Sequence, residues 1–485
     1  MPSVDWFIVV EIIYIIVVIV VCLRIIYETR SSTKTLAYLL FAIFVPVIGI
    51  IFYFSVGINY RNRIMYSKKL IRDQRLQERL QKEIYKSSYD ALQVMGEDGI
   101  AYKGLTRMIL RDMMSPLTAN NKVKLLINGE QTFKEILRAI EEAQYHIHLE
   151  YYTFEDDIIG NALKDALIGK AKKGVEVRFI YDHFGSRSME KRMVKELQDA
   201  GVEVYPFHKI TFLLLANRLN YRNHRKIIVI DGYISFVGGI NVADRYINKQ
   251  DSQGIYWRDT HIKITGPGSL YLQYIFLCDW NFCSPVKLEL ERRFFPDTAD
   301  AHEGSLVQIV SSGPDSISPS ILYSLLKAID SAREEIIITT PYFIPGESLM
   351  DALIIASTSG VNVKLLVPYI SDSRVVNAAA HSYYNDLLKA GVRIFRYKKG
   401  FIHAKTMVCD NKLSMVGTAN MDQRSFDLNF EVMALILDRE VASQLREAFH
   451  IDLKEAEEIN PLQWANRAKW RKLLEKSARM ISPLL

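Results

Sequence analysis

Asn223-His224-Arg225-Lys226-Ile227-Ile228-Val229-Ile230-Asp231 has a second copy far downstream, His403-Ala404-Lys405-Thr406-Met407-Val408-Cys409-Asp410. In each copy Lys follows His by two positions and Asp follows Lys by five. The mainly apolar residues between Lys and Asp predict a buried strand. Side chains two apart share a strand face, so His and Lys point together into one space. The sequel matches as well, Gly238-Gly239-Ile240-Asn241 in the first copy and Gly417-Thr418-Ala419-Asn420 in the second. Glycines suit a tight bend that lets backbone approach a ligand, and Asn supplies an amide donor. One His-x-Lys-x4-Asp alone is a weak signal; two copies with one sequel make a motif.

The repeat extends beyond the motif. From about Asn121 onward, "AIEEAQYHIHLEYYTF" (139–154) matches "AIDSAREEIIITTPYF" (328–343), an amphipathic helix followed by a strand. "GVEVRFIYD" (174–182) matches "GVNVKLLVP" (360–368), and "AGVEVYPF" (200–207) matches "AGVRIFRY" (390–397). Helices alternating with short β-rich runs argue α/β layers with a mixed sheet in each half. Two like domains related by a pseudo-twofold would bring the two motifs together at one cleft.

The paired motif resembles the signature of the phospholipase D superfamily. "NHRKIIVIDGYISFVGGIN", "YWRDTHIKITGPG", "PYFIPGESLMDAL", "GFIHAKTMVCD" and "VGTANMDQRSFDLNFEV" are similar to bacterial cardiolipin synthases, and the likeness runs the length of the chain. The resemblance implies two pseudo-symmetric phospholipase D-like α/β domains behind an N-terminal transmembrane helical hairpin. It also implies a membrane-bound phosphatidyltransferase: one phosphatidylglycerol donates its phosphatidyl group through a phosphohistidine, a second accepts it, and glycerol leaves. The rival enzyme on the same scaffold is a phospholipase D or a phosphatidylserine-type transferase. A nuclease is disfavoured by the hydrophobic N-terminus and the lack of a dense basic groove. A non-catalytic scaffold would be expected to lose motif residues, and all are intact.

The chemistry accounts for the duplication. A phosphodiester repels anionic nucleophiles and has a poor alkoxide leaving group. One neutral imidazole can attack phosphorus while the other, protonated, donates to the departing alkoxide and then deprotonates the incoming alcohol. His224, Lys226, Asp231, His403, Lys405 and Asp410 form the candidate catalytic set. Lys226, Asn241, Lys405 and Asn420 are the candidate phosphate binders. Asp231 and Asp410, at strand ends before turns, read as turn holders rather than reacting groups. Two histidines with opposite tasks need different environments, and a carboxylate behind each is the usual means. Candidates are Asp259 in Trp-Arg-Asp and Glu431 in Asn-Phe-Glu; the resemblance implies a crossed pairing, Glu431 with His224 and Asp259 with His403. It also implies His224 as nucleophile, which nothing else in the chain forces.

No cofactor is expected, because double displacement needs neither metal nor nucleotide. His146-x-His148-x-Glu150 shares one strand face at metal-type spacing, yet the following Tyr151 and Tyr152 suggest an ordinary strand near the cleft. Arg424 and Ser425 touch phosphate or cap a helix; both readings stand. Cys278 and Cys283 read as packing.

The chain of 485 residues is long enough for two or three domains. Its formal charge of +6 suits an anionic membrane and does not single out nucleic acid. Four cysteines without CxxC spacing read as free thiols in a reducing compartment. Residues 1–60 carry two apolar runs, about 6–27 and 36–57, each long enough to cross a bilayer. Arg61, Arg63, Lys68, Lys69, Arg72 and Arg75 after the second run place the catalytic part, and with a hairpin also the N-terminus, in the cytoplasm of a bacterial cell. Residues 61–120 read as a charged, solvated or membrane-skimming helical connector, 121–300 as the first domain and 301–485 as the second. Ile210–Ala216 is either a core strand or a loop dipping into lipid. The tail from Gln463 is either a basic amphipathic interfacial helix or a helix packed on the second domain. Phosphatidylglycerol and an anionic membrane are the expected partners, nucleic acid is not, and a homo-oligomer is left open.

Overall fold

The computed structural model describes residues 6–29, 32–54, 74–94, 96–189, 191–207, 221–248, 254–296 and 304–480. Two compact units are distinguished, one built on the N-terminal helices and one on the sheet and its covering helices. The apolar run 210–216 and its proposed lipid contact lie outside the described residues.

In the N-terminal unit, α1 (Trp6–Glu28) is the helix long and apolar enough among the described residues to cross a membrane. The second apolar run does not continue as one helix. It forms α2 (Ser32–Phe44) and α3 (Pro46–Phe52), separated by Val45 at φ −133°, ψ 64°. Pro46 cannot donate the N–H that would continue α2, and it opens α3 instead. The chain reverses there. Gly49 lies against the backbone of Phe41 with no room for a Cβ, and the Tyr38 and Tyr53 rings are 5.7 Å apart. Tyr53 OH donates to Glu28 at 3.1 Å, so α3 ends at the level where α2 begins. The expected hairpin is thus formed only in part, by one spanning helix and a pair of short helices that turns back.

In the second unit, fifteen strands form one sheet, and their order is palindromic. Outward from the centre, the first half gives Leu117–Ile127, Thr260–Thr265, Ile234–Gly238, Lys226–Ile230, His146–Tyr151, Glu176–Asp182 and Glu203–Phe207. The second half gives Ser305–Ser312, Glu431–Leu437, Leu413–Gly417, Thr406–Cys409, Glu335–Thr339, Asn362–Pro368 and Arg393–Tyr397, with Ala456–Glu458 added at its edge. The halves meet where Leu117 pairs with Gln308 and Thr118 with Val307, antiparallel. Within each half the outer strands are parallel and the inner ones antiparallel, apart from the antiparallel edge strand Ala456–Glu458, which gives the mixed sheet that the helix–strand alternation predicts.

Each half covers one sheet face with its own helices, burying Phe133, Ile136, Leu163 and Leu167 in the first and Ile321, Leu325, Leu349 and Leu353 in the second. A third cluster joins Ile227, Val229 and Val237 to Val408, Val416 and Val432, so the halves pack face to face. Full burial of each such side chain contributes about 1.5–3 kcal/mol. This shared core holds the two motifs together.

The connector differs from expectation, and the tail takes one of its two expected forms by an unexpected face. The connector is not solvated throughout: helix Glu97–Met113 buries Tyr102, Leu105 and Ile109 in the core of the second half. Its apolar positions are few, but they recur at helical spacing on one face. The tail helix Lys469–Met480 does pack on helix Arg374–Lys389, through a charged face. Glu475 is 4% exposed and takes Arg467 Nη1 and Nη2 at 2.6 and 2.9 Å, while the Arg479 guanidinium lies 4.2 Å over the Tyr383 ring. The opposite face presents Trp470, Leu473 and Leu474, exposed at 66%, 67% and 59%. An ordinary surface helix has the reverse arrangement.

Candidate active site

Both histidines enter the site just ahead of a strand and are clipped to the other half by backbone. His224 N–H donates to the Phe430 carbonyl at 2.9 Å, and His403 N–H donates to the Arg258 carbonyl at 2.7 Å. Phe430 precedes Glu431 and Arg258 precedes Asp259, so each clip delivers a carboxylate to the imidazole beside it. His224 Nδ1 lies 2.9 and 3.0 Å from the two Glu431 oxygens, and His403 Nδ1 lies 2.7 Å from Asp259 Oδ2. With Nδ1 engaged, Nε2 is the free nitrogen of each ring for chemistry.

The two pairs are built differently. The Thr418 hydroxyl donates to Glu431, and Asn429 Nδ2 adds a contact at 3.3 Å. At the matching place in the first half stands Gly239, which leaves room for Asp259 where a Cβ would collide with its carboxylate. Asp259 takes instead the Thr260 N–H at 2.7 Å. Burial alone would raise Glu431, but His224, Lys226 and Thr418 hold it below the usual carboxylate range. Burial pushes Asp259 up to about 6.

Burial also lowers His224 to about 4 despite the Glu431 charge, and with both lysines it takes His403 well below its ordinary value. Lys226 Nζ donates to the His224 carbonyl at 2.8 Å, and Lys405 Nζ to the His403 carbonyl at 2.6 Å. Burial, with the Lys405 charge, lowers Lys226 to about 7; burial lowers Lys405 to about 8 despite the Asp259 and Glu431 charges. In all four groups the charged form is thus disfavoured in one buried space, and a bound anion would relieve them.

Asn241 donates to Tyr246 OH at 2.7 Å, and the Tyr246, Trp257 and Phe401 rings wall His403 at 5.8, 5.6 and 5.8 Å. Asn420 keeps its Oδ1 buried without a partner, and its N–H reaches Ser425 Oγ at 3.2 Å. Ser425 therefore supports Asn420, while Asp422 caps the short helix that carries Arg424 by accepting from Ser425 N–H at 2.7 Å.

Asp231 and Asp410 stand at the far ends of their strands. Each has a φ of 52° and accepts three backbone N–H groups, of Gln144, Tyr145 and His146 in one half and Arg333, Glu334 and Glu335 in the other. The structure does not bring them to the imidazoles. Asp231 and Asp410, candidates for the catalytic set by their place in the motif, instead fix the turn that sets strand register.

His146, His148 and Glu150 do share a strand face, but His148 and one Glu150 oxygen are engaged by other partners. His148 has Gln273 at Nδ1 and Arg178 at Nε2, 3.2 Å each, and stacks on Phe276 at 4.5 Å. Glu150 accepts from Asn223.

Sequence reasoning missed the support behind His224. Asn223 binds Glu150 through its amide and receives the Arg225 N–H at 3.1 Å, while Arg225 forms a buried ion pair with Asp279. Burial and the Asp279 charge hold Glu150 well above the carboxylate range. The only signal was the charge of Asp279 inside an otherwise apolar helix.

Comparison with known proteins follows the same lines. Residues 136–265 and 325–453 match the family model described as cardiolipin synthase, PLD-like domain; residues 12–57 match the phospholipase D-nuclease N-terminal model. A cardiolipin synthase of Alkalihalophilus pseudofirmus is 38% identical over 98% of this chain and 93% of its own. The major cardiolipin synthase of Bacillus subtilis is 40% identical over 94% of this chain and 95% of its own. The crystal structure of a phosphatidylserine synthase from Haemophilus influenzae, 15% identical, covers 79% of this chain and all of its own at a TM-score of 0.59, a likeness of fold.

Proposed function

The chain belongs to the cardiolipin synthases built on phospholipase D-like domains, enzymes of phosphatidyl transfer, and from that premise we propose how its cleft performs the reaction. Phosphatidylglycerol is both donor and acceptor. His224 Nε2 attacks the donor phosphorus. The bond from phosphorus to the glycerol oxygen breaks, and His403 gives that oxygen its proton. His403 then takes the proton of the acceptor's terminal hydroxyl, whose oxygen displaces His224 from phosphorus. Cardiolipin and glycerol are the products, and both imidazoles return to their starting state.

The observation that carries this reading is the pair of unlike dyads. Glu431, held ionised behind His224, supports a nucleophile; Asp259, near 6 behind His403, supports a group that gains and loses a proton. Lys226, Lys405, Asn241 and Asn420 hold the non-bridging oxygens. A bound phosphodiester offsets the lysine charges that depress His403, so substrate binding itself promotes its protonation. The direct test is incubation of the purified protein with phosphatidylglycerol alone. Cardiolipin with free glycerol is expected; phosphatidic acid as sole lipid product would make it a hydrolase.

The membrane arrangement is part of the proposal. The catalytic unit lies on the cytoplasmic face, supported by Arg30 and Lys34 between the apolar runs and six basic residues from Arg61 to Arg75 after them. Because α3 returns to the level where α2 begins, the second apolar run adds no crossing of the membrane in this reading. The N-terminus then lies on the far side, where a two-span hairpin would put it on the near one. Labelling of a cysteine at position 3 by an impermeant reagent in intact cells is expected; protection of that site would restore the hairpin. The outward face of the tail helix, with Trp470, Leu473 and Leu474 flanked by Lys469, Arg471, Lys472 and Lys476, meets the same anionic surface.

A further inference from the structure

Three guanidinium groups converge on the His224 side of the cleft. Arg222, two residues before His224, accepts the Phe430 N–H at its carbonyl at 2.8 Å, so its backbone is fixed by the other half. It is 6% exposed, and its Nε has no hydrogen-bond partner. Its Cζ lies 4.1 Å from the centroid of the Phe184 ring, and Arg187 Cζ lies 4.0 Å from the same centroid. Arg424 joins them from helix Gln423–Asp427, whose end is tied to the Phe430 segment by the Asn429 N–H on the Arg424 carbonyl at 3.0 Å. Arg222 and Arg424 both act on the phenol of Tyr152, whose ring lies 4.8 Å from that of His224.

None of the three forms an ion pair among the described residues. Buried arginines elsewhere in this unit do: Arg225 pairs with Asp279, and Arg258 with Asp452 at 2.9 Å. Asp182, whose charge acts on Arg222, is already engaged by the N–H groups of Phe184 and Gly185 at 2.9 Å and of Asn223 at 3.0 Å. Two guanidinium groups against one ring, with Asp182 the nearby carboxylate charge acting on Arg222, repel each other, and a third adds to the repulsion. The fold holds open a place for an anion.

We infer that Arg187, Arg222 and Arg424 form a second phosphate subsite, beside the one that holds the scissile phosphate, and that it receives the phosphodiester of the acceptor lipid. This rests on the reading of the reaction given above. There the scissile phosphate takes the lysine pair. The acceptor brings a phosphodiester of its own, three carbons from the attacking hydroxyl, and the product carries both. A cleft with one anion site would not distinguish this acceptor from a neutral alcohol; a second site does.

The phosphohistidine offers a ratio to measure. With labelled phosphatidylglycerol in mixed micelles and excess ethanol, one intermediate partitions between cardiolipin and phosphatidylethanol. Arg187→Gln and Arg424→Gln, at less buried positions than Arg222, should each shift the ratio toward phosphatidylethanol by about tenfold, with Arg222→Lys in between. Because the readout is a ratio, loss of total turnover does not mask it. A ratio unchanged in both Gln variants overturns the subsite. Millimolar inorganic phosphate should lower the wild-type ratio and act less on Arg424→Gln. If phosphate lowers the ratio of the Gln variants as much as that of the wild type, the arginines are not the acceptor's site and the proposal falls. A wild-type protein that makes phosphatidylethanol but no cardiolipin would instead overturn the reading of the reaction.

Discussion

Asp259 reaches across the boundary between the halves to hold Nδ1 of His403 at 2.7 Å. Glu431 does the same for His224 from the other side, at 2.9 Å. Each imidazole is therefore oriented by a residue it does not share a domain with, and the domain boundary runs through the chemistry.

Glu431→Gln and Asp259→Asn should each lower kcat by about 10²–10⁴-fold, because an amide leaves the ring free to turn and cannot stabilise its charged form. Thr418→Val, which removes one donor to Glu431, should cost about tenfold. Steady-state kinetics on phosphatidylglycerol, with circular dichroism to confirm folding, checks this. Wild-type kcat in Glu431→Gln would remove the basis for assigning roles by dyad.

His403→Ala should slow departure of glycerol and also block activation of the acceptor hydroxyl, so that the phosphohistidine that does form persists. Radiolabelled lipid is then expected to leave acid-labile, base-stable label on His224, located by peptide mapping. Label on His403 in the converse variant, His224→Ala, and none on His224, would reverse the two roles.

The pH profile follows from the shifted groups. Asp259 is raised to about 6, so it is ionised, and orients His403, only above that value. Lys226 and Lys405 are lowered to about 7 and 8, so they carry charge only below those values. The profile of kcat/KM should rise through about pH 6 and fall between about 7 and 8. A profile still flat at pH 9 would show that the lysines do not discharge in the free enzyme.

Asp231→Ala or Asp410→Ala should act on stability. Each deprives three backbone N–H groups of their acceptor at a left-handed position. A loss of about 1–3 kcal/mol is expected, seen as a Tm lowered by several degrees, with kcat of the folded enzyme within about twofold. A thousandfold fall in kcat at unchanged Tm would return these residues to the reaction.

Replacing Trp470, Leu473 and Leu474 by Ser should weaken binding to phosphatidylglycerol vesicles and slow turnover on them more than on a short-chain soluble analogue. Tm should hold, because these side chains face away from the Glu475 contact. Equal losses on both substrates with a lowered Tm would make that face structural.

Much of this was legible in the chain. Each strand between Lys and Asp announces itself as an apolar run, and the repeat predicts that two such strands face one cleft. The partners Glu431 and Asp259 were another matter. Spacing offered them only as candidates, and the crossing came from family resemblance. Other features depend on contacts far apart in sequence. Hydropathy counts the length of residues 36–57 but does not register that the chain turns back at Val45 and Pro46. Arg187 and Arg424 are distant from Arg222, and no local pattern joins them. Asp231 lies within the motif yet works for the turn, because its spacing is set by strand length.

The crossed dyads bear on descent. A single half, standing alone, carries one histidine and one carboxylate that cannot reach each other. Two identical copies about a twofold axis would complete both pairs at once, so the ancestor that the palindromic sheet implies is a homodimer. In such a dimer the two pairs are compelled to be alike. Thr418 opposite Gly239 is a difference that identical copies cannot hold and a fused chain can, and on the roles proposed above it is what lets one imidazole serve as nucleophile and its twin carry protons.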